Sequence, residues 1–250
     1  YKSMLNPNVK FVFVNHVSNT LGTINPIEQI IELAHKNKSQ VLIDGAQGAA
    51  HLKINLKELN VDYYVASAHK LCGPTGVGFL YGKSELLKSL PAYQGGGEMI
   101  SNVTFEKTEY ADLPHKFEAG TPNIAGVIAF GSALDYMNSI GFDNIENHEK
   151  ELLEYATEKL KKIDGVKIYG DNKQKISVIS FNIGNHHPSD IGSILDQFGI
   201  AVRTGQHCTQ PIMDFYKIPG TVRASFSFYN TKSEIDLFID ALIKASKMLG

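Results

Sequence analysis

The sequence predicts an α/β fold built around a largely parallel sheet, and three features lead to it. Short apolar runs recur along the chain. Segments with helical spacing of apolar residues lie between them. Polar residues able to do chemistry stand where the runs end. In sheets of this kind, ligands collect beyond the carboxyl ends of the strands.

Composition narrows the class. The 250 residues are 43% hydrophobic and 20% charged, as in an ordinary globular protein. A net charge of -2 gives no reason to expect nucleic acid or an acidic membrane surface as partner. No run is long and apolar enough to span a bilayer. Cys72 and Cys208 are the only cysteines, which excludes a disulfide framework and points to a reducing, cytoplasmic compartment. The chain starts at Tyr1, reaches a strand-like run within ten residues and shows no leader, so it reads as starting inside a larger protein.

Lys10 to Asn15 reads as a strand buried on both faces. Asn19, Gly22 and Thr23 form the loop after it. Pro26 suits the first turn of a helix whose apolar face is Ile27, Ile30, Ile31 and Ala34. Val41 to Asp44 is a second buried strand, Leu52 to Leu59 a short crossover, and Val61 to Ala66 a third strand. Val77 to Tyr81 is a fourth strand, entered through Gly73-Pro74-Thr75-Gly76.

Pro91 to Pro122 lacks periodicity and carries Gly95-Gly96-Gly97. So long an irregular stretch is a functional segment or an interface arm. Ile124 to Ile140 reads as a buried helix, and Ile145 to Ile163 as an amphipathic one with Leu152, Leu153, Ala156 and Leu160 inward. Val166 to Tyr169 and Ile176 to Ile183 are strands. Ser189, a plausible cap, opens a helix to Phe198. Ile200 to Arg203 and Val222 to Phe228 are strands, and Ile235 to Leu249 is a closing helix. The change of pattern places a boundary near 140: a larger domain over 1–140 and a small α/β domain over 141–250.

Asp44 and Lys70 stand at successive strand ends and could face one ligand from two sides. A lysine that forms a Schiff base must reach its neutral form easily, and a carboxylate can keep a ring nitrogen protonated. The plain alternatives are a solvated lysine and an Asp-Gly turn or helix cap. Ser67 and His69 flank Ala68 and in an extended segment point the same way, where hydroxyl and imidazole suit a phosphate. A polar strand end wetted by solvent is the alternative. Cys208 follows Arg203-Thr204-Gly205-Gln206-His207, polar surroundings that argue against simple burial and cations that favour thiolate. Cys72, beside Leu71, reads as a buried packing residue. Arg203 and Arg223 could each pair with a carboxylate through two hydrogen bonds, or form surface ion pairs. No Cys-x-x-Cys or His-x-x-x-His spacing is present, so no metal site is expected. His186-His187-Pro188 reads as a loop leading into a helix.

Seven motifs in order resemble one family. They are Asp44-Gly45-Ala46-Gln47, Ser67-Ala68-His69-Lys70, Gly73-Pro74-Thr75-Gly76, Gly95-Gly96-Gly97, Phe117 to Asn123, Arg203 to Cys208, and Arg223-Ala224-Ser225 with Tyr229-Asn230-Thr231. The chain resembles the Suf-type, group II cysteine desulfurases of the class V aminotransferase-like enzymes. The resemblance implies the fold type I of pyridoxal-phosphate-dependent transferases, of which this chain holds an incomplete sheet and the small C-terminal domain. It implies pyridoxal 5'-phosphate held by Lys70, with Asp44 at the pyridine nitrogen, Gln47 at the phenolic oxygen, and Ser67 and His69 at the phosphate. Thr121 would reach the cofactor of the neighbouring subunit of a homodimer. Asn19, Arg203 and Arg223 would hold the substrate carboxylate. Cys208 would take the sulfur of L-cysteine as a persulfide, release L-alanine, and pass the sulfur to a small acceptor protein of the Suf system for iron–sulfur cluster assembly.

The resemblance has two departures. The nucleophile motif often reads Arg-x-Gly-His-His-Cys-Ala, where this chain has Gln206 and Thr209. Members run to roughly 400 residues, so about the first third, with a phosphate-binding helix start and a ring-stacking histidine, is expected to be missing. Selenocysteine lyase, acting on L-selenocysteine, is the nearest enzymatic alternative. Aminotransferases and kynureninases need no thiol at Cys208. A non-catalytic cofactor-binding or scaffold fragment is the alternative from another class.

Overall fold

The computed structural model describes residues 1–250, which divide into two compact units. The first comprises Tyr1–His16, Pro26–Ala50 and Ile54–Ile140, and the second Val17–Asn25, His51–Lys53 and Gly141–Gly250.

The first unit opens with β1 (Phe11–Asn15), α1 (Ile27–Lys36), β2 (Gln40–Asp44) and α2 (Gly48–His51), whose last residue falls to the second unit. It continues with α3 (Leu56–Leu59), β3 (Tyr63–Ser67), β4 (Gly78–Gly82), α4 (Ser84–Ser89), β5 (Ile100–Val103), β6 (Thr108–Tyr110) and α5 (Ile124–Ile140). The sheet runs β1-β2-β3-β4. Its first three strands are parallel, with Asn15 opposite Asp44 and Asp44 opposite Val65, so their carboxyl ends share one edge. Ile27, Ile31 and Ala34 of α1 are buried, as the spacing predicts. Below the sheet edge, the buried carboxylate of Asp62 accepts from Lys83 Nζ at 2.8 Å, His35 Nε2 at 2.9 Å and the Val41 N–H at 2.8 Å.

The fourth strand departs from the parallel expectation, since β4 runs antiparallel to β3 with Ser67 opposite Gly78. The link between them is short and holds only a single 3₁₀ turn, Ala68–Lys70, whereas a parallel return needs a crossover of a dozen or more residues. The strand predicted to be buried on both faces is not. Phe11 is 40% and Phe13 69% exposed, because β1 is the sheet's edge strand and nothing in the unit covers that face. The helix predicted to be buried throughout also differs. In α5 only Gly126, Phe130, Ala133 and Met137 are buried, while Ile124, Val127, Ile128 and Tyr136 face out. The irregular stretch after Pro91 holds an exposed antiparallel hairpin of β5 and β6.

The second unit contains α6 (Phe142–Leu160), β7 (Val166–Tyr169), β8 (Val178–Ile183), α7 (Pro188–Gln197), β9 (Arg203–Gly205), α8 (Gln210–Tyr216), β10 (Thr221–Ser225) and α9 (Lys232–Leu249). Its sheet is antiparallel throughout, in the order β7-β8-β10-β9. Every residue of β8 is buried. Leu152, Ala156 and Leu160 of α6, Ile179 and Phe181 of β8, Ile191 and Leu195 of α7, and Ile235 and Leu242 of α9 form its core. Each of the leucine, isoleucine and phenylalanine side chains among them contributes about 1.5–3 kcal/mol of burial. The segment Val17–Asn25 joins this unit through a Thr23–Lys175 bridge and an Ile24 N–H bond to the Gln174 carbonyl at 3.0 Å. The predicted cap at Ser189 is replaced by His187, whose Nδ1 accepts from the Ser189 N–H with Pro188 in the first helical turn. The strand expected from Ile200 begins instead at Arg203, and α8, which the sequence reading left out, follows it with Thr209 at its N-cap and Pro211 in its first turn. No helix of the chain is long and apolar enough to cross a membrane.

Candidate active site

Within the first unit, the carboxyl ends of β2 and β3 carry the polar residues singled out above. Asp44 is exposed, and its Oδ1 accepts from the Ala46 N–H at 2.9 Å while the other oxygen has no protein partner. Gly45 donates its N–H to the Val65 carbonyl at 2.8 Å and lies against the Tyr64 ring. A Cβ there would come within 1.9 Å of Tyr64 Cζ, so only glycine lets the chain turn at this point. Gln47 is half-buried just ahead of α2, with its amide free of protein partners.

Ser67 ends β3, and His69 and Lys70 lie exposed in the 3₁₀ turn after it. That turn corrects the expectation that Ser67 and His69 alternate along an extended segment. The Ala68 N–H bonds to the Val77 carbonyl at 2.9 Å, and the Ala68 carbonyl accepts from Leu71 and Gly73, which curls the backbone. The side chains of Ser67, His69 and Lys70 make no hydrogen bond within the protein. Cys72, expected to be buried, is exposed in a left-handed conformation with φ 57°, and partial desolvation raises its thiol pKa. Thr121 is exposed after Gly120, whose φ is 79° and whose N–H bonds to the Gly97 carbonyl at 2.9 Å.

Beneath Asp44 lies a pair that sequence reasoning passed over. His16 Nδ1 stands 3.3 Å from the Tyr64 hydroxyl, and both residues are buried. Burial, and then the Asp44 charge, push the phenol pKa upward, while burial lowers that of His16. Both groups are therefore neutral at pH 7, and one hydrogen bond joins them. The sequence signals were His16 directly after the first strand-like run and Tyr64 within the run Val61 to Ala66.

Within the second unit, Cys208 is exposed in the loop between β9 and α8. The backbone there is unusual. Gly205 has φ 107°, and His207 and Cys208 follow at 53° and 62°. Left-handed conformation costs a side-chain-bearing residue roughly 1–2 kcal/mol, so two in succession must be held by their surroundings. Asn19 Nδ2 donates to the His207 carbonyl at 2.8 Å, and Arg223 Nη1 donates to the Asn19 carbonyl at 2.8 Å.

His207 does not supply the cation expected beside the thiol. It is 3% exposed, and burial, followed by the charge of Arg223, lowers its pKa to about 4. Its Nε2 lies 3.1 Å from the Thr221 carbonyl and 2.9 Å from the Thr221 hydroxyl. A carbonyl only accepts, so Nε2 carries the proton, and the buried Nδ1 has no partner. Positive charge comes instead from Arg203 and Arg223, directly opposite one another on β9 and β10. Like charges so placed repel. Burial first and Arg203 second lower the Arg223 pKa, while Cys208 raises it. Arg223 Nε is buried without a partner, which leaves a donor for a planar anion such as a carboxylate.

Known proteins match this chain in sequence and fold. Residues 1–238 match the aminotransferase class-V family. A cysteine desulfurase of Cronobacter sakazakii is 46% identical over 249 residues, 99% of this chain and 61% of its own length. A probable cysteine desulfurase of Synechocystis is 47% identical over 97% of this chain and 58% of its own length. The crystal structure of the cysteine desulfurase CsdA (S-sulfonic acid) from Escherichia coli superposes with a TM-score of 0.95 at 36% identity, covering 98% of this chain and 61% of that one. The chain thus spans about three fifths of the length of these relatives. With nearly its whole length inside one family pattern, the chain belongs to the aminotransferase class-V family.

Proposed function

We propose that the protein is a pyridoxal-phosphate-dependent cysteine desulfurase that converts L-cysteine to L-alanine and retains the sulfur as a persulfide on Cys208. The observation that carries this reading is the pairing, in one chain, of an exposed and unpartnered Lys70 with a Cys208 presented on a strained, tethered loop. Aminotransferases have use for the first and none for the second. The names of the Cronobacter and Synechocystis relatives support it.

The residues present fit the cofactor. Asp44, Gln47, Ser67, His69 and Lys70 form a set of partly or fully exposed polar groups at or just beyond neighbouring strand ends, and apart from Asp44 Oδ1, which accepts from the Ala46 N–H, their side-chain polar atoms make no hydrogen bond within the protein. When bound, pyridoxal phosphate supplies an electron sink for charge at the substrate's α carbon. Lys70 holds it through its amine and moves the substrate's α proton. Asp44 keeps the ring nitrogen protonated, Gln47 bonds the phenolic oxygen, and Ser67 and His69 bond the phosphate. Thr121 does so for the cofactor of a second copy in a homodimer. Arg223, with Asn19 and Arg203, binds the substrate carboxylate. The Cys208 thiolate attacks the substrate's sulfur, forming the new S–S bond as the C–S bond breaks, and the electron pair of that bond stays with the β carbon, which takes up a proton to become the methyl group of alanine.

On this reading residues 1–140 supply the cofactor-binding body and 141–250 the nucleophile. The persulfide passes to a small Suf-type sulfur-acceptor protein for iron–sulfur cluster assembly, in the cytoplasm.

The test uses the intact, cofactor-loaded protein, with alanine and sulfide measured on cysteine and selenocysteine in parallel. Cys208→Ala should keep the cofactor's visible absorbance and lose persulfide formation. Lys70→Ala should abolish the visible band of the lysine-linked cofactor. Normal sulfur release by Cys208→Ala, or an unchanged spectrum in Lys70→Ala, overturns the proposal.

A further inference from the structure

We propose that Thr20 and Thr209 form a clasp that positions the Cys208 loop. The inference rests on the reading of Cys208 as the sulfur-accepting nucleophile. Both threonines lie in the second unit. Their hydroxyl oxygens are 2.8 Å apart, and the Thr209 hydroxyl also lies 2.8 Å from the Gln206 carbonyl. A carbonyl cannot donate and a hydroxyl has one proton, so Thr209 gives its proton to Gln206 and Thr20 gives its own to Thr209. The result is a directed relay, Thr20 to Thr209 to the Gln206 carbonyl, spanning the two left-handed residues between Gln206 and Thr209.

The fixed end of the clasp is rigid. Thr20 is fully buried. Its carbonyl accepts from Ser180 Oγ at 2.6 Å, and the carbonyl of Asn19 accepts from Arg223 Nη1. Ser180 and Arg223 are register partners on β8 and β10, so adjacent central strands grip adjacent peptide groups of this segment. From that base, Asn19 Nδ2 reaches the carbonyl ahead of Cys208 and Thr20 reaches the residue after it. The nucleophile is thus held on both sides. Thr20 and Thr209 are positioning residues, since neither is assigned contact with substrate or cofactor.

The test measures persulfide formation on Cys208 in a single turnover, by peptide-resolved mass spectrometry of the intact, cofactor-loaded protein. Thr20→Val and Thr209→Ala should each slow it about tenfold per folded molecule, the effect of one aligned hydrogen bond, with KM for cysteine changed less than about twofold. Thr20→Ser, which keeps the hydroxyl, should restore the rate. The double variant Thr20→Val/Thr209→Ala should be no slower than the slower single variant. In the cofactor-free protein, the Thr209 amide, bonded to the Gln206 carbonyl at 2.9 Å, should exchange with deuterium faster in Thr20→Val than in Thr20→Ser. Unchanged rates in both single variants, equal losses in Thr20→Ser and Thr20→Val, or losses that multiply in the double variant overturn the clasp. If wild-type Cys208 gains no persulfide, the desulfurase reading fails instead. The amide exchange then decides the clasp, and an unchanged Thr209 rate in Thr20→Val overturns it.

Discussion

His207 donates Nε2–H to the carbonyl of Thr221 at 3.1 Å and leaves its other ring nitrogen buried with no partner. A histidine held this way is a neutral structural strut beside Cys208. Its pKa falls from 6.5 to about 4 on folding, so between those values the unfolded chain binds more protons than the folded one. Stability conferred by neutral His207 is fully present above pH 6.5 and is lost as pH falls towards 4. The loss is on the order of 3 kcal/mol at most. Denaturant titrations from pH 7 to 4 should show this slope in wild type and a flatter one in His207→Gln.

Glu149 is the most heavily engaged buried carboxylate of the second unit. It is 3% exposed and accepts from His51 Nδ1 at 2.7 Å, Ser227 Oγ at 3.2 Å, Ser177 Oγ at 3.3 Å and the Phe228 N–H at 3.1 Å. Glu149→Ala strands all of these donors and should cost about 3 kcal/mol in urea unfolding. Glu149→Gln, which keeps one acceptor oxygen, should cost less.

In the first unit, Asp62 ties α1, β2 and the residue that follows β4 together. Burial works to raise its pKa, but the bonds from Lys83, His35 and the Val41 N–H outweigh that and hold it below the usual value. A depressed carboxylate contributes stability above its unfolded pKa of 3.8 and loses it as pH falls further. Asp62→Asn should cost about 2 kcal/mol at neutral pH, and the difference from wild type should shrink in acid.

The closing helix α9 starts with a full capping box. Thr231 Oγ1 accepts from the Glu234 N–H at 3.3 Å, and Glu234 Oε2 accepts from the Thr231 N–H at 2.7 Å. Thr231→Ala should lower stability by about 1 kcal/mol, read as a shift in the thermal midpoint.

Phe11 and Phe13 stack at 5.5 Å on the open face of β1. Replacing Phe13, which is 69% exposed, with serine should change stability by less than about 0.5 kcal/mol. It should also reduce the fluorescence of a bound anilinonaphthalene dye. An undiminished dye signal would place the apolar patch elsewhere.

Much of this was legible in order along the chain. Apolar runs of strand length, bounded by glycine and polar residues, located β1, β2, β3 and β7, and helical spacing located α1 and α6. These signals survive because they are local: a few consecutive side chains set the period, and the period sets the element. The strand end bearing Asp44 followed from the same reasoning, while Lys70 lies in the 3₁₀ turn just beyond the end of β3. What stayed illegible depends on distant partners. The short link ahead of Val77 already implied an antiparallel β4, but the α5 sequence is apolar on faces that its unit leaves open. Glu149 reads as one more charge on an amphipathic helix, and His207 as a cation beside a thiol. Burial alone makes the first a buried acceptor for several donors and the second neutral.

The sequence by itself determined where the candidate polar residues lie and which elements they follow, because residue type and periodicity are written in consecutive positions. Tertiary structure decided their state and direction. It set Cys208 in a left-handed turn, discharged His207, and joined Thr20 to Thr209 across 189 positions of chain. The physical reason is that desolvation and hydrogen-bond geometry are properties of a place in space, and two residues far apart in sequence acquire a common place only when the sheet between them has folded.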